Sequence, residues 1–537
     1  MALVVCALAL LLSACAPNRP RVDPAPVPVP PPALSADQIR DLLAQESNFI
    51  AGRSLGDVAA LRAFYSARDY RTAFTGADCE RRMPAMVQAI SLATTHGLNP
   101  QHYHADVLST ENACDPTSEL LAADAWLRLA QHLHAGSIDP RTVEPDWTAE
   151  RPALDRGTLL EQALSSDSLA VSLNALAPQD GYYQALQRAL AQWRELQARG
   201  EWPQLDDGPT LRRGDADPRV LQIRTRLAIE GFQADAVAEP TLFDAELERQ
   251  VKRYQTAAHL DVDGAVGRET LAELRRTPAE RVAQIRANLE RWRWLPDTLG
   301  ERHIRVNIAH FQLEARAGGK IERVHRVIVG KQLRRTPSFS ANMRYIVVNP
   351  WWEVPRRLAV EDKLPLFQRD PEAFARLGFR AVGADNVEVD PAGIDWNAYN
   401  KRNFPYRLRQ QPGRENALGD VKLMFPNRHD VYLHDTPGRT LFERSRRNFS
   451  SGCMRTEFPL ELAAWALSDS SGWPLERLTA IAAGDAESTI RLKTPIPVHV
   501  QYLTAVVDEG EVRFVYDLYQ RDAALIEAMG LDPTPGS

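Results

Sequence analysis

The chain has 537 residues, 44% of them hydrophobic and 25% charged, with a formal net charge of −6. A single hydrophobic core stops growing well below this length, so three or four domains are expected. The near-balanced charge forms no basic stripe, which argues against nucleic acid as a partner.

Residues 2–14 are almost wholly apolar but too few to span a bilayer permanently. Leu12-Ser13-Ala14-Cys15 resembles the lipobox of bacterial lipoprotein signals. The resemblance implies a signal peptide over 1–14, cleavage before Cys15 and a lipid on Cys15. With Ala16 next, it further implies a periplasmic protein anchored to the outer membrane through that lipid. An ordinary secretory signal or an uncleaved anchor would place the body of the chain in the same compartment.

Residues 15–34 are a proline-rich tether, with Pro24-Ala-Pro-Val-Pro-Val-Pro-Pro-Pro32 expected to be extended and semi-rigid. Of the cysteines, Cys6 leaves with the signal and Cys15 carries lipid. Cys79 and Cys114 then remain as a possible disulfide in an oxidising compartment, or as two separate thiols. Cys453 stands alone, and an unpaired thiol in such a compartment is easier to explain by reactivity than by packing.

Residues 35–203 read as a helical, Ala/Leu-rich domain, with amphipathic segments at 36–45, 86–96, 120–134 and 182–199. Gly97-Leu-Asn-Pro and Gly136-Ser-Ile-Asp-Pro each stop a helix. Trp126, Leu127, Leu129, Ala130 and Leu133 form a core stripe. His96, His102, His104, His132 and His134 make no closed set with Cys or carboxylate at ligand spacing, so no metal and no cofactor is expected.

A polar linker over 205–217 leads into a compact unit over 215–277, with a helix at 244–258. Asp263, Gly264, Gly267 and Thr270 match the Asp-Gly-x-x-Gly-x-x-Thr string of a small helical peptidoglycan-binding domain, which this unit resembles. A helical spacer without glycan affinity is the alternative. One more helix over 281–294 ends in Trp292, Trp294 and Leu295, an expected seam between domains.

The period then changes. Ile304-Arg-Val-Asn-Ile, Phe311-Gln-Leu-Glu-Ala, His325-Arg-Val-Ile-Val-Gly and Tyr345-Ile-Val-Val-Asn are mostly alternating, β-rich runs that predict an antiparallel sheet and open a domain over 302–505. An insertion over about 351–420 interrupts it, through the segments 358–367 and 371–377 and the loop 396–409. Its Trp351, Trp352, Trp396, Tyr399 and Tyr406 argue for an ordered, functional element. Over 506–537 a closing hairpin around Asp508-Glu-Gly-Glu and a peripheral helix at 522–529 are expected.

The most informative stretch is 432–455. Val431-Tyr-Leu-His434 is a short strand ended by Asp435-Thr-Pro-Gly, which leaves His434 at the mouth of a turn and open to solvent. Nineteen positions later Cys453 follows Ser450-Ser-Gly452, and Leu460, Ala463, Ala464 and Leu467 recur at helical spacing, which places Cys453 just before a helix. A neighbouring histidine and the positive end of a helix lower a thiol's pKa, so a reactive thiolate is expected. Gly452 permits close backbone approach, and N–H groups around Gly452 and Cys453 are candidate donors to a developing oxyanion. His434 would accept the thiol proton and return it to a leaving amine. On one Cys and one His alone, an inert buried thiol is the commoner outcome.

The surrounding residues carry a resemblance. His434, Ser450-Ser451-Gly452-Cys453 and Arg455 are similar to the signature of the YkuD-type L,D-transpeptidases, and Tyr432-Leu-His-Asp-Thr-Pro with Ser450-Ser-Gly-Cys-Met-Arg resembles its large periplasmic, YcbB-like subgroup in Gram-negative bacteria. Ser451 stands where many members carry a second histidine. Gly330-Lys-Gln-Leu-Arg-Arg-Thr-Pro and Asn349-Pro-Trp-Trp-Glu-Val-Pro resemble further stretches of the same domain.

The resemblance implies a multidomain α+β fold: a helical scaffold domain, a small helical peptidoglycan-binding domain and a β-rich catalytic domain with an inserted capping subdomain. It implies Cys453 as nucleophile, His434 as base held by a backbone carbonyl, and Tyr432, Ser451 and Arg455 on the substrate. Arg444, Arg446 and Arg447 are further candidates for the substrate's carboxylates. The implied reaction joins peptidoglycan tetrapeptide stems, donor and acceptor, through a thioester that releases D-alanine and ends in a 3→3 cross-link. Other cell-wall synthesis proteins are implied as partners, and the membrane through the N-terminal lipid. An L,D-carboxypeptidase, a transferase using a lipoprotein lysine and a non-enzymatic peptidoglycan tether are the rivals.

Overall fold

Short polar side chains close the first turns of the N-terminal helices, where backbone N–H groups lack intrahelical partners. Asp115 accepts from Ser118 N at the start of Pro116–Ala135, and Asp180 accepts from Tyr182 N at the start of Gly181–Arg199. These helices belong to a computed structural model that describes residues 35–45, 48–110, 114–148, 153–200, 202–232, 239–508 and 510–531. The expected signal peptide, tether and Cys15 lie outside the described residues.

Helix Pro116–Ala135 runs through the middle of the helical domain with Trp126, Leu127, Leu129, Ala130 and Leu133 buried, as the core stripe predicts. Glu119 is buried on the same helix and accepts from the Tyr65 hydroxyl and the N–H groups of Phe74 and Thr75, so its charge is not left unpartnered. A disulfide joins Cys79, which opens helix Cys79–Thr95, to Cys114, with Cα atoms 5.8 Å apart. A two-residue hairpin, β1 (Phe49–Ile50) with β2 (Arg53–Ser54), is the domain's sheet.

The peptidoglycan-binding-like unit has its own core of Val220, Ile223, Leu227, Phe243, Leu247, Val251, Tyr254 and Leu274. Its signature string has a packing cause. Gln255, on helix Ala245–Ala257, donates to Asp263, to the Ala265 carbonyl and to Thr270 Oγ1, while Gly264 N–H donates back to Gln255. Gly264 has φ +75°, which glycine adopts without strain. The linker is less detached than its polarity predicts: Leu205 and Leu211 enter this core, and Leu211 bridges Val266.

Helix Pro278–Arg293 follows that unit in sequence but packs along Gly181–Arg199 in the helical core. Trp294 meets Trp147 edge-on at 5.6 Å, and Trp292 lies 5.9 Å from Tyr182. The expected seam residues therefore complete the helical domain, which is made of two separated pieces of chain.

The catalytic-domain strands are β3 (Arg302–Asn307), β4 (Gln312–Ala317), β5 (Lys320–Ile328) and β6 (Phe339–Val348). The insertion adds β7 (Trp352–Glu353), β8 (Phe379–Val382), β9 (Glu388–Val389) and β10 (Arg407–Gln410), a small sheet in the order β7-β10-β8-β9. It has a separate aromatic core, in which Phe367 sits 5.2 Å from Phe374 and Phe379 and 5.1 Å from Trp396. The chain returns through β11 (Val421–Met424), β12 (Leu433–His434), β13 (Met454–Thr456) and β14 (Ser488–Gln501).

These strands close a barrel in the order β11-β12-β13-β5-β4-β3-β14-β6. The antiparallel sheet expected from alternation is therefore a closed, mixed one, with parallel junctions at β12/β13 and β3/β14. Alternation reports which face of a strand is buried, but closure depends on pairings far apart in sequence.

The terminal segment is integral rather than peripheral. β15 (Ala505–Asp508) and β16 (Glu511–Phe514) form a hairpin, and helix Arg521–Ala528 buries Arg521, Asp522 and Leu525. Arg291 of the helical domain donates to Asp522 at 2.5 Å, while Asn288 and Thr504 exchange hydrogen bonds at 2.8 and 2.9 Å. Helical domain, barrel and terminal helix thus share one buried polar seam.

Candidate active site

Strands β12 and β13 lie side by side in parallel register, Leu433 opposite Met454 and His434 opposite Arg455. The register sets Cys453, one residue before β13, beside Tyr432. Cys453 is half-buried, its sulfur 3.7 Å from the Asp430 carbonyl and hydrogen-bonded by the Tyr432 backbone N–H and hydroxyl. The Tyr432 ring lies 5.7 Å from the His434 ring.

Two expectations about this pair are corrected. Cys453 precedes a strand, and the helix Pro459–Ala466 begins only beyond it, so no helix N-terminus faces the sulfur. His434 is not open to solvent: it is 5% exposed, because β12 is an inner strand of the barrel rather than a surface one.

Burial also decides the protonation states. Loss of solvent pushes His434 down to about 3, and the nearby Arg455 guanidinium pushes it the same way. Loss of solvent pushes the Cys453 thiol up to about 11, against the opposing hydrogen bonds from Tyr432 and the charge of Arg455. The resting pair is therefore a neutral thiol and a neutral imidazole, not the thiolate expected from the sequence.

His434 Nδ1–H donates to the Asp435 carbonyl at 2.5 Å. That bond fixes the tautomer and leaves Nε2 with its lone pair, the form a general base needs. The backbone carbonyl left unnamed by sequence reasoning is thus that of Asp435, the next residue.

Gly452 has φ +124°, a conformation that favours glycine. Its N–H donates to Ser450 Oγ at 3.2 Å and is spent inside the loop. Of the two expected oxyanion donors, the Gly452 N–H is thus already engaged. Ser451 is exposed and accepts from Arg334 at 2.9 Å.

Arg455 is half-buried beside the pair, and burial lowers its pKa. The other arginines turn elsewhere. Arg446 pairs with Glu269 of the peptidoglycan-binding-like unit at 3.1 Å, and Arg447 donates to the carbonyls of Arg444 and Phe311. Arg446 and Arg447 are thus engaged with partners other than Cys453 and His434.

Among the described residues no group of three or more His, Cys, Asp or Glu side chains is placed to hold a metal ion.

Three family models match the chain. Residues 301–498 match the YkuD L,D-transpeptidase catalytic domain, residues 59–190 the Scaffold domain, and residues 216–274 the "Putative peptidoglycan binding domain". The three domains stand in the YcbB-like arrangement. A Haemophilus influenzae protein named "Putative L,D-transpeptidase" is 36% identical over 239 residues, which is 44% of this chain and 48% of that protein. The chain thus spans about half the length of that curated relative.

Similar solved structures include an L,D-transpeptidase from Mycobacterium smegmatis, 12% identical, covering 37% of this chain and 58% of that one, with a TM-score of 0.18. Another is an L,D-transpeptidase from Stackebrandtia nassauensis, 14% identical, covering 56% and 96%, with a TM-score of 0.21. Superpositions this loose carry no argument about the site.

The candidate site also has residues that the sequence pattern did not single out. Arg334 joins Ser451 to Asp362 and Glu361 of the insertion, at 2.6 and 3.0 Å. Its signal is its place in the family-like stretch 330–337, but nothing in the spacing says that a residue so far upstream meets Ser451. Asp435 reads from sequence as a turn residue; its role depends on its carbonyl, which a side-chain pattern does not reveal.

Proposed function

We propose that this protein is a peptidoglycan L,D-transpeptidase that works through a Cys453 thioester. The observation that carries the proposal is the half-buried Cys453 just before the strand that runs parallel to that of His434, with Nδ1 of His434 held by the Asp435 carbonyl. A neutral base beside a neutral thiol suits proton transfer concerted with attack on a bound carbonyl.

In the first step the Cys453 sulfur attacks the carbonyl between a diaminopimelate residue and the terminal D-alanine of a tetrapeptide stem. Its proton passes to His434 Nε2, and the carbonyl oxygen takes the negative charge against the Cys453 N–H. Collapse breaks the C–N bond, His434 returns the proton to the departing amine, and D-alanine leaves with a thioester behind. The side-chain amine of a second stem then attacks the thioester, His434 accepts its proton, and the 3→3 amide forms as the thiol is regenerated. Arg455 and the Tyr432 hydroxyl stand beside the sulfur, placed to hold the donor's carboxylate and polar groups.

The peptidoglycan-binding-like unit supports a cell-wall substrate, and the Cys15 signature supports a lipid-anchored periplasmic protein at the outer membrane. Mass spectrometry of products from purified disaccharide-tetrapeptide tests the reading: dimers joined 3→3, with stoichiometric D-alanine, are expected. Trimmed tripeptide without dimer would replace the transferase by the L,D-carboxypeptidase.

A further inference from the structure

The stretch 330–337 is marked by the sequence, yet the acyl-transfer chemistry leaves its Thr336 without a role. Thr336 is fully buried, and its hydroxyl serves two backbones at once: it accepts from Gly330 N–H at 2.9 Å and donates to the Gly452 carbonyl at 2.8 Å. Its own N–H donates to the Tyr519 hydroxyl at 3.1 Å, and Tyr519 donates to the Gly330 carbonyl at 2.6 Å. Gly330 has no room for a side chain, since a Cβ there would stand 2.8 Å from Thr336 N.

The ring of bonds is anchored from outside the barrel strands. Arg521 donates to Ser338 Oγ at 2.8 Å and to Glu144 at 2.9 Å, and Glu144 belongs to the helical domain. Thr336 is therefore held more firmly than the glycine it touches.

A trans peptide is planar, so its C=O and N–H point in opposite directions. Gly452 lies in a region that allows its following peptide to turn. Fixing the Gly452 carbonyl against Thr336 turns the Cys453 N–H to the opposite side of that peptide. We propose that Thr336 is a positioning residue that aims the Cys453 N–H at the developing oxyanion. The inference rests on the acyl-transfer reading above and adds to it a residue that touches neither substrate nor sulfur.

The test compares two reactions of Cys453 in the full chain. Acylation by a carbapenem passes through an oxyanion, as the lactam C–N bond breaks and its nitrogen takes a proton. Alkylation by iodoacetamide displaces iodide and makes no oxyanion. Thr336→Val should slow acylation by about 10–100-fold, leave alkylation within about twofold, and be rescued by Thr336→Ser, which keeps the hydroxyl. Thr336→Ala supplies the same contrast should valine overfill the loop. Unchanged acylation, or acylation and alkylation falling by the same factor, would overturn the role. A wild-type chain that alkylates but forms no acyl adduct would overturn the acyl-transfer reading, and the positioning role with it.

Discussion

His434 and Arg455 face each other across the parallel β12/β13 junction, and the guanidinium acts on both His434 and Cys453. It disfavours protonation of the imidazole and favours ionisation of the thiol. Removing it as Arg455→Gln should raise the Cys453 pKa further and slow iodoacetamide alkylation at pH 8, because the thiolate fraction falls about tenfold each time the pKa climbs by one. Faster alkylation in the variant would show that Arg455 does not act on the sulfur.

The free enzyme's thiol should be sluggish at neutral pH. Since burial raises Cys453 to about 11, its alkylation rate should keep climbing with pH through 9 and 10. A plateau near pH 7 would mean that a thiolate is present at rest, the state the sequence suggested. Carbapenem acylation should be much less pH-sensitive, because His434 stays neutral far below the ordinary histidine range.

What is legible in the sequence and what is not divide along one line. The residues proposed to bear the chemistry, Cys453 and His434, announce themselves through local strings, as do the helices of the scaffold and the core stripe around Trp126. What the strings do not carry is depth. A strand such as Leu433–His434 looks the same on a surface and inside a closed barrel, and only the pairings with Val421–Met424 and Met454–Thr456 bury it. The thiolate expectation fails for that reason: it assigns a helix end to Cys453 and gives no weight to desolvation. Thr336, Arg334 and Tyr519 stay silent because each has a partner more than a hundred residues away: Gly452 for Thr336, Ser451 for Arg334 and Gly330 for Tyr519.

Stability should fall on the acid side. His434 is pushed down to about 3, and His96 and His499 to about 4, each first by burial. The unfolded chain binds protons at these residues from about pH 6.5 downward, while the folded chain does not. Stability is therefore complete above about pH 6.5 and is lost as pH falls from there toward 4, at roughly 1.4 kcal/mol per pH unit for each histidine once fully titrating. Denaturant melts of the full chain at pH 7 and pH 5 measure it, and a chain more stable at pH 5 would contradict the account.

The buried seam gives a further outcome. Arg291 donates to Asp522 and also faces Glu144, all deep in the interface between helical domain and terminal helix. Replacing it by methionine leaves the buried Asp522 without its cation, while Glu144 keeps Arg521, and should cost about 3–5 kcal/mol. Equilibrium unfolding reads the loss, which a change within about 0.5 kcal/mol would refute.

Peptide mapping after a rapid quench with donor tetrapeptide bears most directly on the central claim. The account predicts the mass of a tripeptide stem on the peptide carrying Cys453, labile to hydroxylamine as thioesters are, and absent from Cys453→Ala, which should neither cross-link nor trim. Continued turnover with no adduct on that sulfur, or with the stem on another side chain, would contradict it.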